Sequence, residues 1–275
     1  MIQALILSLL TQVPPAPLTP APQSNTLAES LLQSKDDLNP FPGVSRKLLV
    51  KASKSQELAS NETLDRAWAY YTKFRGAWMP KASKPDPQDI QQFEIFAAKQ
   101  KAISLPAWII KPSGNANERV RKLVLNPEDP SFEAFKQTKE TQAVKALCLV
   151  LMTEHELDRP NAAPKAAHYL HLLLDQTPFD PGARMLFAKM AVDAKDFNFA
   201  WYNVRIGIYL TPEPNKNDLE FMCFVGSFAV KSQWGSIQSA IRELAPNPEL
   251  AKQVIEKQAI LFTDKAKPSF TAITK

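Results

Sequence analysis

Pro181-Gly-Ala-Arg-Met-Leu-Phe-Ala-Lys-Met-Ala191, followed by Phe197-Asn-Phe-Ala-Trp-Tyr-Asn-Val204 and closed by Leu210-Thr-Pro212, is the stretch from which the fold is read. Proline suits the first turn of a helix, where its missing N–H has no intrahelical partner to lose. Met185, Ala188 and Val192 then recur three and four residues apart, the period of a helix face. The second segment repeats that period, and Pro212 stops it because proline cannot continue a helix. Small Ala200 and Gly207 allow close approach of the two helices, with Phe187, Phe197 and Val204 filling the seam. The short break between them makes the pair an antiparallel hairpin.

The same alternation extends outward. Asp129-Pro-Ser131 opens a helix that runs to about Glu156, and Asn161–Gln176 makes the next. Pro181–Lys195, Asn198–Leu210, Asn217–Lys231, Gln233–Leu244 and Pro248–Asp264 follow with short connections, so successive helices are antiparallel neighbours. Towards the N-terminus, Ser60 or Asn61 caps a helix over 61–78 whose face carries Leu64, Trp68, Tyr71 and Trp78. Asp86-Pro87 opens another over 87–101, with Ile90, Phe93 and Ala97 on one side. Residues 106–125 read either as a hairpin of strands around Ser113-Gly-Asn-Ala-Asn117 or as a short helix. From Thr26 to Glu57 the pattern is weak, with one apolar island at Leu48-Leu-Val50.

Pro178, Pro212 and Pro246 lie 34 residues apart, each ending a predicted helix. In period and side chains, residues 147–248 resemble the tetratricopeptide repeat, a 34-residue helix–turn–helix unit with bulky residues in its first helix, alanine in its second and a closing proline. Phe187, Ala188, Ala200, Val204, Gly207 and Pro212 stand where that family has its Leu, Gly, Ala, Phe, Ala and Pro. The chain departs from the pattern at Arg184 and Ala191, where Trp and Tyr are usual. The preceding unit keeps Leu157, Ala166, Leu170, Leu173 and Pro178, but not the family residues at Thr153 and Glu154. In the following unit Trp234 and Gln238 fall out of place unless its second helix slides by three residues, which sets Trp234 level with Phe197 and Pro246 out of line. The resemblance implies an all-α fold of antiparallel helical hairpins stacked as a short right-handed solenoid. A hairpin of this kind cannot bury its apolar face alone, so the stack needs end caps, and the final helix supplies one.

The domain organisation expected is an export signal at 1–12, a Pro-rich linker at 13–42 and an N-terminal helical region at 43–130. Tetratricopeptide-like repeats over 131–248 and a capping helix and tail over 249–275 complete it. Met1–Leu10 has the length of a secretory apolar core, and the uncharged Thr11–Asn25 segment has the composition of an extended spacer. No basic residue precedes the run, and Ala16 and Ala21 are each followed by proline, which opposes cleavage. The resulting expectation is export to a bacterial envelope, with a cytoplasmic protein as the alternative.

Composition excludes several chemistries. The chain has 275 residues, with 33 Lys+Arg against 28 Asp+Glu, 23 Pro and only 7 Gly. No GxG or GxxxxGK[ST] loop is present to cradle a phosphate, and no stretch is long and apolar enough to span a bilayer as a helix. Two cysteines cannot build a four-thiolate zinc site; Cys148 and Cys223 sit in apolar helical segments and read as buried, with a disulfide between them as the alternative. The three histidines are His155, His168 and His171. The last two are three residues apart on one helix, but nothing in the sequence places a third metal ligand. The basic excess is thinly spread, its densest cluster being Lys111, Arg119, Arg121 and Lys122. The aromatic run Phe197, Phe199, Trp201, Tyr202 and Tyr209 has helical spacing, so it reads as core between repeats in preference to a base-stacking platform.

The expectation for function is a non-catalytic scaffold that binds another protein or an extended peptide segment, with no cofactor and no metal. The alternatives are a nucleic-acid-binding helical solenoid, for which the net charge of +5 argues, and a metal-dependent enzyme using His168 and His171. The resemblance places ligands on the concave face made by first helices. On the aligned positions that face carries Leu151 and His155, then Met185, Lys189 and Val192, then Lys216, Leu219 and Cys223. Such a mixed apolar and basic lining suits a peptide better than a nucleic acid.

Overall fold

The computed structural model describes Leu38, Pro40 and residues 45–56, 61–75, 85–105 and 138–263, all within the unit Leu38–Lys275. The unit Met1–Asp37, with the expected export signal, lies outside the described residues, as do most of the Pro-rich linker, the ambiguous 106–125 segment and Trp78. Among the described residues the chain is all-α: ten α-helices pack against their neighbours and no strand occurs. In order they are α1 (Arg46–Gln56), α2 (Glu62–Arg75), α3 (Pro87–Lys101), α4 (Lys139–Glu156) and α5 (Ala162–Gln176). Then follow α6 (Pro181–Asp193), α7 (Phe197–Leu210), α8 (Lys216–Ala229), α9 (Trp234–Leu244) and α10 (Pro248–Gln258).

Side-chain caps set most of the boundaries. Asp86, Asp180, Asp196 and Asn247 each accept a hydrogen bond from a first-turn N–H, and α3, α6 and α10 carry proline in the first turn. Asn61 does the same for α2, taking the Leu64 N–H at 2.8 Å. α4 begins at Lys139, and the expected start at Asp129-Pro-Ser131 lies outside the described residues. Thr138, in extended conformation, forms a reciprocal capping box with Thr141. α1 is an element that apolar pattern alone does not announce. Among its described side chains Leu49, Ala52 and Ser53 are buried, and the helix is held by packing on α7. Arg46 fastens it, donating to the carbonyls of Thr211 at 3.2 Å and Pro212 at 2.9 Å, just past the end of α7.

α6 with α7 and α4 with α5 form the most extensive contacts, joined by turns of a few residues, so both pairs are antiparallel hairpins. A methyl on Gly207 would sit 2.9 Å from Met185 Sδ and 3.0 Å from its Cγ, which explains why glycine stands there in α7. Gly226 plays the same part between α8 and its neighbours, since a methyl there would sit 2.7 Å from Ile237 Cδ1 and 3.1 Å from the Trp201 ring. Rings continue the seam from one hairpin to the next. Phe197 stacks on Phe228 at 4.1 Å, and the edges of His171 and Phe199 meet Phe187 at 4.5 and 5.0 Å. Trp201 and Tyr209 are buried, as packing residues should be.

The three prolines at 34-residue spacing each fall two residues beyond a helix: Pro178 after α5, Pro212 after α7 and Pro246 after α9. Trp234 and Phe197 nevertheless both begin their helices, and Ile237 and Ala200, both fully buried, hold the fourth position of each. Both alignments therefore hold at once. α9 is three residues shorter than α7, and the 3₁₀ turn Lys231–Gln233 takes up the difference. Pro246 thus keeps its place, contrary to what the slide by three residues implies.

At the C-terminal end α10 packs on both α8 and α9 through Val254, with Leu250 and Ile255 at its margins, and Lys252, Glu256 and Lys257 exposed. The 3₁₀ turn Ala259–Phe262 then lays Phe262 on Trp234, rings stacked at 4.2 Å.

Candidate functional site

α2 runs parallel to α4. Asn61 Nδ2 donates to Gln142 Oε1 at 2.9 Å near the start of both, and Arg75 Nη1 to Glu156 Oε2 at 2.9 Å near the end. Both bonds join residues 81 apart, so the two helices keep register along their length. At its C-terminal end α2 also reaches α6: Arg75 Nη2 lies 4.0 Å from Asp193 Oδ1.

A polar cluster assembles at this three-helix junction, from Tyr71 and Arg75 on α2, His155 and Glu156 on α4, and Lys189 and Asp193 on α6. His155 Nε2 is 3.3 Å from Asp193 Oδ2, Lys189 forms a tight ion pair with the same oxygen, and Lys189 Nζ lies 3.9 Å from Glu156 Oε1. The Glu156 and Lys189 side chains are only 3% and 1% exposed, so two carboxylates and two fixed cations balance one another out of water. Burial pulls Lys189 below the ordinary lysine range despite the Asp193 carboxylate beside it. For Asp193, burial works upward, but the His155 hydrogen bond and the Lys189 charge outweigh it and hold the carboxyl below its ordinary value. Burial first, and the Glu156 charge second, push Tyr71 far above the usual phenol range. The network is incompletely satisfied: Tyr71 Oη, Arg75 Nε and Glu156 Oε1 are buried with no hydrogen-bond partner among the described residues.

The structure brings His155 and Lys189 together through Asp193, but it does not lay the expected peptide-binding lining open. Leu151, Met185, Lys189, Val192, Leu219 and Cys223 are all buried. Of the eight residues only His155, partly exposed, and Lys216, exposed in the first turn of α8, present surface. For Lys189 the cover includes α2, whose Arg75 reaches α6. Met185 is buried against α7 at Gly207. Sequence reasoning placed Tyr71 on an inward face but missed Arg75, Glu156 and Asp193 as a set. A tyrosine and an arginine four residues apart on one helix are neighbours on its surface, and that spacing was the available signal.

The remaining candidates resolve simply. Cys148 and Cys223 are free and buried, and burial raises both thiols well above their ordinary value. His168 packs on the Tyr169 ring, and His171 lies edge-on to Phe187; burial, with lesser help from His168 and Arg184, lowers the His171 pKa. Among the described residues no group of three His, Cys, Asp or Glu is arranged to hold a metal ion, and no helix is long and apolar enough to cross a membrane. Comparison of the chain with protein-family models, with curated proteins and with solved structures finds no match in any of the three.

Proposed function

We propose that this chain is a non-catalytic interaction scaffold, a short tetratricopeptide-like solenoid that holds a partner polypeptide on the face formed by α4, α6 and α8. The observation that carries the reading is the repeated hairpin in which α5, α7 and α9 each end two residues before a proline of the 34-residue series. Stacked hairpins of this size present one extended face built from equivalent helices, a geometry suited to a long, thin ligand. Fold analogy supplies the step from stack to scaffold, so the test must be direct. Export to a bacterial envelope is proposed with it, and determining the N-terminus of the mature protein tests it.

The decisive experiment is affinity capture of the tagged full-length chain after mild cross-linking in its own cells, compared with Lys216→Glu. Lys216 is exposed at the first position of α8, where a carboxylate is favoured by the helix dipole, so the variant keeps its fold. A reproducible protein partner, depleted in the variant, supports the scaffold. A purified chain that retains no polypeptide and turns over a small substrate overturns it.

A further inference from the structure

We infer that α2 is an internal occupant of the partner-binding face, and that the partner which displaces it is an amphipathic helix bearing an arginine that reaches the Glu156 and Asp193 carboxylates. The inference rests on the scaffold reading above and gives its partner a chemistry.

Three observations converge. α2 lies along α4 in register and touches the end of α6 through Arg75, so one helix covers one first helix of the stack and reaches a second. This is the pose of a helix in a groove. Second, the contact is poorly satisfied. Of six buried side-chain atoms without a hydrogen-bond partner among the described residues, three belong to this junction: Tyr71 Oη, Arg75 Nε and Glu156 Oε1. Each such atom costs about 1–3 kcal/mol, so α2 is held less firmly than an equal area of apolar packing would hold it. Third, the grip of α2 on α3 is made on a different side of the helix. Tyr70 and Phe74 meet Phe93 at 5.4 and 5.7 Å, and Tyr70 meets Phe96 at 5.5 Å, all through aromatic rings. α2 and α3 are therefore coupled through these rings, and displacement takes both off α4, breaking the Lys101–Glu154 ion pair as well.

What the face asks of a replacement follows from its charges. With α2 gone, Lys189 and His155 are the cations that face Glu156 and Asp193 among the described residues, and the deep carboxylate needs a second cation that arrives on a long stem. An arginine supplies it with a fork of donors. α2 is tethered, so it competes at a high effective concentration and keeps the face closed until the partner is abundant or binds better.

The test uses the full chain, a labelled peptide of residues Asn61–Arg75 as the probe, and two variants. Arg75→Ala removes the bridge to Glu156 and Asp193. Asn61→Cys and Gln142→Cys, at sites whose side chains meet in a hydrogen bond, joined by a thiol-reactive cross-linker with a reducible spacer, lock α2 down. The peptide should bind wild type weakly and Arg75→Ala about tenfold more tightly, since the open fraction sets apparent affinity. It should not bind the locked form until a reductant is added. Hydrogen exchange on wild type should show α2 opening well before α6 and α7, which keeps the inference testable if Arg75→Ala fails to fold. Equal peptide affinity for wild type and locked protein, or α2 amides as protected as those of α6, overturns the inference. Capture of the cellular partner separates the two ideas. A partner retained equally by the locked form refutes the displaced helix and leaves the scaffold standing, whereas the absence of any retained polypeptide removes the scaffold and the partner chemistry with it.

Discussion

Gly207 is where a single side chain decides how near two helices can come. Its missing Cβ leaves room for Met185 Sδ, 2.9 Å from where that carbon would be, so Gly207→Val forces α6 and α7 apart. The expected cost is about 2 kcal/mol, read as a lower urea midpoint at unchanged slope. At this scale the sequence was informative, because a glycine amid large apolar residues in a helix costs helical stability and is kept where a neighbour needs the space. Charged residues were the opposite case. Lys189 has the look of a surface lysine and is 1% exposed. Nothing local to it reveals Glu156 and Asp193, which are brought close only by the packing of α4 on α6. Lys189→Met should lose about 3 kcal/mol near neutrality by stripping a buried carboxylate of its partner. The pH dependence has a definite sign. Asp193 titrates below its ordinary value, so its stabilisation is fully present above about pH 4 and is lost as pH falls through the folded pKa. Removing the Lys189 charge raises that folded value, and the acid unfolding midpoint of the variant should move to higher pH. Lys189 itself is depressed by burial, so wild type gains stability from it as pH rises towards the free lysine value, a gain Lys189→Met will not show.

Among the elements, the helices with prolines and aspartates at their starts were legible almost to the residue, since caps are local chemistry. α3, α6 and α10 begin at the prolines that announce them. α1 was not legible. It is largely polar, and its existence depends on Arg46 finding the end of α7, a contact spanning 165 residues of chain. Arg46→Ala should therefore release α1 while leaving α6 and α7 folded. Hydrogen exchange would show protection lost across 46–56 alone, and loss spreading through α7 would mean that α1 is an integral part of the hairpin core. α9 was legible as a helix, read as Gln233–Leu244 and observed as Trp234–Leu244, but its place in the repeat was not, because the alignments of its start and its end disagreed by three residues. No one-dimensional comparison can satisfy both, because the slack lies in a 3₁₀ turn that only the backbone reveals.

For the whole molecule, the order of packing predicts how it comes apart. Each hairpin is sealed by the next, and α10, resting on α8 and α9, seals the last. Val254→Asp places a carboxylate at a fully buried position of that seal. Protection should fall first in α8 and α9 and last in the α4–α5 hairpin, a gradient that pulsed hydrogen exchange resolves. Uniform loss along the chain would mean that the helices form a single cooperative block. The three missing residues of α9 bear on ancestry as well. Three residues turn a helix by about 300° and shorten it by about 4.5 Å, close to one full revolution, so the inward side chains stay nearly in phase. A duplicated hairpin can accordingly shed or gain such a step and still fit against its neighbours. Selection on packing then preserves the shape of the copies while their common period blurs, and shared descent among hairpins is better sought in equivalent contacts than in equal spacing.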